Sequence, residues 1–250
     1  MQTIDKHIYI RVFAGLNFFL PKKFRQRLLQ LQLNGNPSVK DVIESVGIPH
    51  TEFELVLVNS EVVELSYHVR KGDRISVYPF FYQFDAPGKE IALKETPEDF
   101  KFILDVHLGK LAAMLRLLGF DCYYRNNLED EEIIKIAFHE DRIILSRDLG
   151  IFKNSKVKWG YFPRSQDPKV QLKEIIDRYD LKSRMKPFSR CTNCNGEISV
   201  VKKADIEGQL KERTKLFYEE FYICENCNKT YWKGSHYYKM IEFVESISGN

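Results

Sequence analysis

Phe102-Ile103-Leu104-Asp105-Val106-His107-Leu108-Gly109-Lys110-Leu111-Ala112-Ala113-Met114-Leu115-Arg116-Leu117-Leu118-Gly119 decides the fold of the middle of this chain. A short apolar run, Phe102 to Leu104, ends on Asp105. Leu108, Leu111, Ala112, Leu115 and Leu118 then recur at helical spacing, and Gly119 suits the position just past a helix end, where positive φ is common. A buried strand that feeds a helix is the unit of an α/β fold. Outward from it, Cys122-Tyr123-Tyr124 reads as a second strand and Glu131 to His139 as a helix with Ile133, Ile134 and Ala137 on one face. Ile143-Ile144-Leu145-Ser146 is a third strand, apolar throughout as in a sheet covered on both faces. Trp159 to Phe162 is a candidate fourth, and Asp167-Pro168 opens a helix running through Tyr179 with Leu172, Ile175 and Ile176 inward. The alternation predicts a parallel sheet with right-handed crossovers over residues 100–186.

The residues before it have a different pattern. His7 to Phe13 alternates as a strand should, and Gln26 to Leu33 reads as a second, less regular one. Ser38 is a good N-cap for a helix carrying Val39, Val42, Ile43 and Val46 inward. Asp41 sits in its first turn, and Gly47 with Pro49 ends it. Glu54 to Val58 and Arg74 to Pro79 are strands. The order ββαββ predicts a small β-grasp, ubiquitin-like domain over residues 1–84, followed by a linker over 85–99 with two prolines and a glycine.

The last segment, residues 187–250, holds Cys191-x-x-Cys194 and Cys224-x-x-Cys227. Four thiolates in two knuckles suit a tetrahedral zinc ion and leave no open position for catalysis, so the segment is expected to be a zinc ribbon with a structural ion. Asn195-Gly196 and Asn228 follow the pairs and suit tight turns in which backbone N–H groups approach the sulfurs. A redox role is disfavoured, because redox motifs use one such pair at a helix start. The remaining cysteine, Cys122, reads as a core residue.

Apolar and charged fractions of 44% and 29% are those of an ordinary folded protein. A net charge of +3 neither demands nor excludes a nucleic-acid partner. No apolar run is long enough to span a bilayer, and the first residues lack a basic region followed by an apolar one. A cytoplasmic protein with reduced thiols and no membrane partner is expected.

The candidate chemistry lies in the middle segment. Asp105 ends the first strand, Asp130 begins the helix after the second, and Asp148 follows the third. A parallel sheet would carry all three to its carboxyl edge, where open α/β sheets place their sites. Such a group repels itself unless a cation is bound, and oxygen ligands favour Mg²⁺ or Mn²⁺. Each acid also has a structural reading: Asp130, with Glu129, Glu131 and Glu132, suits a helix start, and Asp148 suits a cap or turn. Asp167 before Pro168 is read as an N-cap ahead of a ligand. Lys110, Arg116, Arg125 and Arg147 surround this edge. Arg116, which interrupts a leucine-rich helix, and Arg147, beside Asp148, are the stronger candidates for phosphate contacts, with Lys110 a weaker one. His107 is read as a helix N-terminal residue.

Leu104 to Leu111, Leu115-Arg116-Leu117-Leu118-Gly119-Phe120-Asp121 and Arg142 to Asp148 resemble the Mut-seven C-terminal RNase family, a PIN-like nuclease domain with a zinc ribbon appended. The cysteine pairs and Tyr231-Trp232-Lys233-Gly234-Ser235-His236 match the ribbon. Ser38 to Glu44, Gly47 to Glu52 and Gly72 to Pro79 resemble the ubiquitin-like module often fused to it. The resemblance covers nearly the whole chain. It implies a metal-dependent endoribonuclease with Asp105, Asp130 and Asp148 in the acidic positions. Ser146 stands where threonine is usual and keeps the hydroxyl. The module also resembles small sulfur carriers, but it lacks their terminal Gly-Gly and continues through Phe80 to Phe84, which argues against sulfur transfer. Two other readings stay open: a non-catalytic RNA-binding adaptor, and an interaction module in which the ubiquitin-like domain binds a protein partner.

Overall fold

In a computed structural model, residues 7–79, 97 and 99–248 are described. The expected linker and the Phe80 to Phe84 tail fall almost wholly outside them. The chain divides into two compact units, residues 1–99 with 134–164, and residues 100–133 with 165–250.

The first unit contains a five-stranded sheet. β1 (His7–Val12) pairs antiparallel with β2 (Leu29–Gln32) and parallel with β5 (Arg74–Pro79). β5 pairs antiparallel with β3 (Phe53–Val58), and β3 with the two-residue β4 (Glu61–Val62), giving the order β2-β1-β5-β3-β4. This is the β-grasp expected, with β4 added; two residues leave no periodicity to read. Alternation in β1 points Ile8, Ile10 and Val12 inward, where they meet Val39, Val42 and Ile43 of α1 (Val39–Ser45). Ser38 caps α1 as expected. Its hydroxyl accepts from Asp41 N at 3.1 Å and Ser38 N donates to the Asp41 carboxylate at 3.1 Å, a reciprocal capping box. The second strand is shorter than Gln26 to Leu33. Lys22–Phe24 forms a 3-10 turn, Gln26 takes φ +58°, and its N–H goes to Asn17 Oδ1 at 2.6 Å, so a side chain competes with the ladder for the backbone.

The same unit includes β8 (Ile143–Leu145) and β9 (Gly160–Tyr161), which pair in parallel. Glu52, 1% exposed, joins this part to the β-grasp. It accepts from Phe162 N at 2.7 Å and from the Arg164 guanidinium at 2.5 and 3.2 Å. His50 lies between the Glu44 carboxylate at 2.7 Å and Val157 O at 2.8 Å. The Phe18 and Phe19 rings come within 5.8 and 5.9 Å of Phe162. Removing one member of a buried ion pair strands the other, at about 3–5 kcal/mol. Glu52→Ala is therefore expected to lower the unfolding free energy of the full-length protein by about 3 kcal/mol. An unchanged urea transition would show that solvent already reaches the pair.

In the second unit β6 (Lys101–Leu104) and β7 (Asp121–Tyr123) pair in parallel. Between them runs α2 (Gly109–Leu117), which packs on α4 (Pro168–Tyr179). Phe102 sits with Phe120 and Tyr179 in the core, ring centroids 6.1 Å away in both cases. Gly119 ends α2 at φ +92°. A β-carbon there would lie 2.2 Å from Lys186 O, so both φ and the close approach of backbone exclude other residues. Asp167 caps α4, accepting from Lys169 N at 2.7 Å with Pro168 at the first helical position, which agrees with the cap reading. α3 (Asp130–Glu140) begins one residue earlier than expected.

The C-terminal part of this unit is a three-stranded antiparallel sheet of β10 (Ile198–Val201), β11 (Phe221–Cys224) and β12 (Thr230–Trp232). The excursion between β10 and β11 carries two short helices, α5 (Lys203–Ile206) and α6 (Glu212–Phe217). It closes on a small cluster of Ile206, Leu210 and Phe221. α7 (Ser235–Ser248) follows β12. Among the described residues no helix is long and apolar enough to cross a membrane.

Candidate metal centre and catalytic carboxylates

The two knuckles have the same local construction. Cys191 N donates to Gly196 O and Asn195 N to Cys191 O; in the second, Cys224 N donates to Lys229 O and Asn228 N to Cys224 O. Asn195 and Asn228, each four residues after the first cysteine of its pair, take φ +72° and +56°, a conformation asparagine tolerates. Gly196 is required for space, since a β-carbon there would lie 2.9 Å from Cys224 Sγ.

The ligand atoms of Cys191, Cys194, Cys224 and Cys227 lie within 4.8 Å of one another. Sγ–Sγ separations of 3.7 Å (Cys191–Cys227) and 3.3 Å (Cys194–Cys224) are too long for disulfides. They approach the ~3.8 Å edge of a tetrahedron with metal–sulfur bonds of ~2.3 Å. Burial pushes the Cys191 thiol up, but the Tyr231 hydroxyl at 2.9 Å and the backbone N–H groups of Cys194 and Asn193 outweigh it and bring it down to about 6. Burial pushes Cys194 up to about 12, and the neighbouring sulfurs add to the rise. Four thiolates at this distance need a cation to ionise together, so the donor set fits a metal ion. Tyr231 supports the site from outside the ligand shell; no cysteine spacing points to it, because a supporting hydroxyl has no fixed offset.

The knuckle is tied to the rest of its unit by a residue assigned otherwise from sequence. Arg116 was expected to contact phosphate. It is instead 4% exposed, with Nε and Nη2 donating to Cys122 O at 3.0 and 2.7 Å and Nη1 to Asn193 O at 2.8 Å and Thr192 O at 3.4 Å. Burial lowers its pKa. A guanidinium with its donors committed to carbonyls anchors the first knuckle to α2 and is not open to RNA. Asn195 reinforces the junction: its Oδ1 accepts from Cys122 N and its Nδ2 donates to Asp121, both at 2.9 Å. Cys122 is fully buried, as a core residue should be.

The three carboxylates differ in setting. Asp105, 5% exposed, leaves the carboxyl end of β6 and accepts from His107 N at 2.8 Å, capping a 3-10 turn. Asp130 is exposed at the first residue of α3. Asp148 is exposed three residues beyond β8. Its Oδ1 accepts from Gly150 N at 2.7 Å and its own N–H donates to Ser146 Oγ at 2.9 Å, the hydroxyl singled out in the sequence. Asp105 and Asp130 belong to the second unit and Asp148 to the first. Arg147 is half-buried and donates to Pro163 O and Arg164 O at 2.7 and 2.9 Å, 5.3 Å above the Phe162 ring. Lys110 is exposed in the first turn of α2.

Residues 100–244 match the family described as Mut7-C RNAse domain, and residues 5–85 match the one described as Mut7-C ubiquitin. No curated protein matches the chain. Two solved structures do. One is the small archaeal modifier protein 1 of Haloferax volcanii, 19% identical over 29% of this chain and 95% of its own, with a TM-score of 0.24. The other is SAMP1 of the same organism, 16% identical over 31% of this chain and 99% of its own, also with a TM-score of 0.24.

Proposed function

The chain belongs to the Mut7-C RNAse domain family and carries that family's ubiquitin-like domain at its N-terminal side, and from this membership we propose a metal-dependent endoribonuclease that hydrolyses RNA phosphodiester bonds. The four cysteines are read as holding a structural zinc ion. Asp105, Asp130 and Asp148 are read as the ligands of Mg²⁺ or Mn²⁺, since their donors are all oxygen. The observation that carries the reading is that Asp105 and Asp148 each leave the carboxyl end of a strand in parallel pairing, β6 and β8, the end at which α/β folds place ligands.

A bound Mg²⁺ or Mn²⁺ would lower the pKa of a coordinated water and offset charge at the phosphate. The Asp148 carboxylate is fixed through its Oδ1 by the Gly150 N–H, which sets its direction before any ligand arrives. Asp105 is similarly pinned by the His107 N–H. Lys110 and Arg147 are assigned to the RNA backbone, which predicts weak sequence preference. A protein partner of the ubiquitin-like domain would use a surface other than that of His50 and Glu52, which bond within the chain.

End-labelled single-stranded RNA incubated with the full-length protein tests the reading. Fragments should appear with Mg²⁺ or Mn²⁺ and be absent from metal-depleted buffer in which the protein keeps its zinc. Equal cleavage in both buffers would sink the metal assignment. Salt-sensitive binding without cleavage in any metal would put the RNA-binding adaptor in its place.

A further inference from the structure

We propose that one face of the ribbon sheet seats an unpaired nucleobase of single-stranded RNA, with Arg190 and Lys233 holding the adjoining phosphates. The choice of ligand rests on the ribonuclease reading, but the site uses none of the three carboxylates. The strand register places Val200, Tyr222 and Tyr231 side by side across β10, β11 and β12. They line a groove of about 400 Å³, within the range of ligand clefts, together with the Phe188 and Tyr237 rings, whose centroids are 4.9 Å apart. Val200, 79% exposed, adds an apolar side chain to this face of the sheet.

Two further observations identify the occupant. Among the described residues the groove is lined by two cations, Arg190 and Lys233, and by no carboxylate; their acidic partners, Asp121 at 3.7 Å and Glu220 at 2.5 Å, are not among the lining residues. An aromatic platform with positive charge and no negative charge complements a planar ring that carries phosphate, and stacking on such a platform tolerates any base. Phe188 also takes φ +65°, a strained conformation for a bulky residue, held by its N–H to Leu117 O at 2.9 Å. Strain of this kind persists where the surroundings enforce a side-chain position, and here it accompanies a ring that lines the groove.

The test uses full-length protein carrying Asp148→Asn, so that RNA survives, with a short fluorescein-labelled oligouridylate and its duplex with a complementary strand. Tyr222→Leu and Val200→Glu, both with parental zinc content and circular dichroism, should each weaken single-strand binding about tenfold, the loss expected of one stacked base. The chain has two tryptophans, Trp159 and Trp232, and Trp232 lines the groove. With Trp159→Phe added, the remaining emission should be quenched saturably by the oligouridylate and not by the duplex. Parental affinity in both variants, unquenched emission, or equal binding of the duplex would overturn the proposal. Absence of cleavage in every metal, with Tyr222-dependent binding intact, would remove the ribonuclease reading and leave the seat standing. Normal cleavage by the parent with parental binding in both variants would do the reverse.

Discussion

Asp148→Asn is expected to reduce RNA cleavage by roughly 100-fold or more, because a cation that stabilises charge at phosphorus supplies several kcal/mol. The fold should be unaffected. Asp148 is exposed, and its acceptance of the Gly150 N–H through Oδ1 passes to the asparagine carbonyl oxygen. The substitution therefore removes charge while preserving shape. Kinetics on end-labelled RNA, with thermal unfolding measured on the same sample, separate the two effects. Full activity in a normally folded variant would falsify the assignment of Asp148. Asp105→Asn is a less clean test, since that carboxylate is buried and caps the turn at Val106–Leu108, so lost activity could follow lost stability.

Cys194→Ser should have the larger structural effect. Metal binding and folding are coupled in small cysteine-rich domains, with zinc contributing on the order of 10–16 kcal/mol in isolated peptides. The apolar cluster behind the ribbon sheet consists of Ile206, Leu210 and Phe221, backed by a few half-buried neighbours. Zinc content should fall from one ion per chain to near zero, and amides of β10, β11 and β12 should lose their hydrogen-exchange protection. Loss should spread to α2 and β7 through Arg116 and Asn195, which bond the first knuckle to Cys122 and Asp121. The β-grasp sheet, with its own core around Ile10, Ile43 and Val77, should keep its protection. Retained zinc, or a protected ribbon without it, would contradict the coupling.

Much of the architecture was legible because local rules act over a few residues. Ser38 with Asp41, and Asp167 with Pro168, announced helix starts that the structure contains. Gly119 announced a helix end, and two Cys-x-x-Cys pairs announced a four-sulfur cluster. Family motifs named the domains. The short helices α5 and α6 and the two-residue β4 were not legible, since such elements are held by neighbours and carry no period of their own.

The role of Arg116 and the contacts between distant segments were decided by tertiary structure alone. As a sequence symbol, Arg116 is a charge that interrupts leucines. Its partners at Thr192 and Asn193 lie 76 and 77 positions away, and only their proximity converts a candidate phosphate contact into an anchor for the metal knuckle. Glu52 meets Arg164 across 112 positions, and nothing within a helical turn of either forecasts the pair. Gly119 could be read as a helix stop, but the second reason for glycine, the approach of Lys186 O, exists only once the chain has returned to it. The sequence determined the longer, capped elements and which atoms can bind metal, because backbone propensity and ligand chemistry are local. The fold determined which charged side chains are committed to partners within the chain, because burial is a property of the assembled chain.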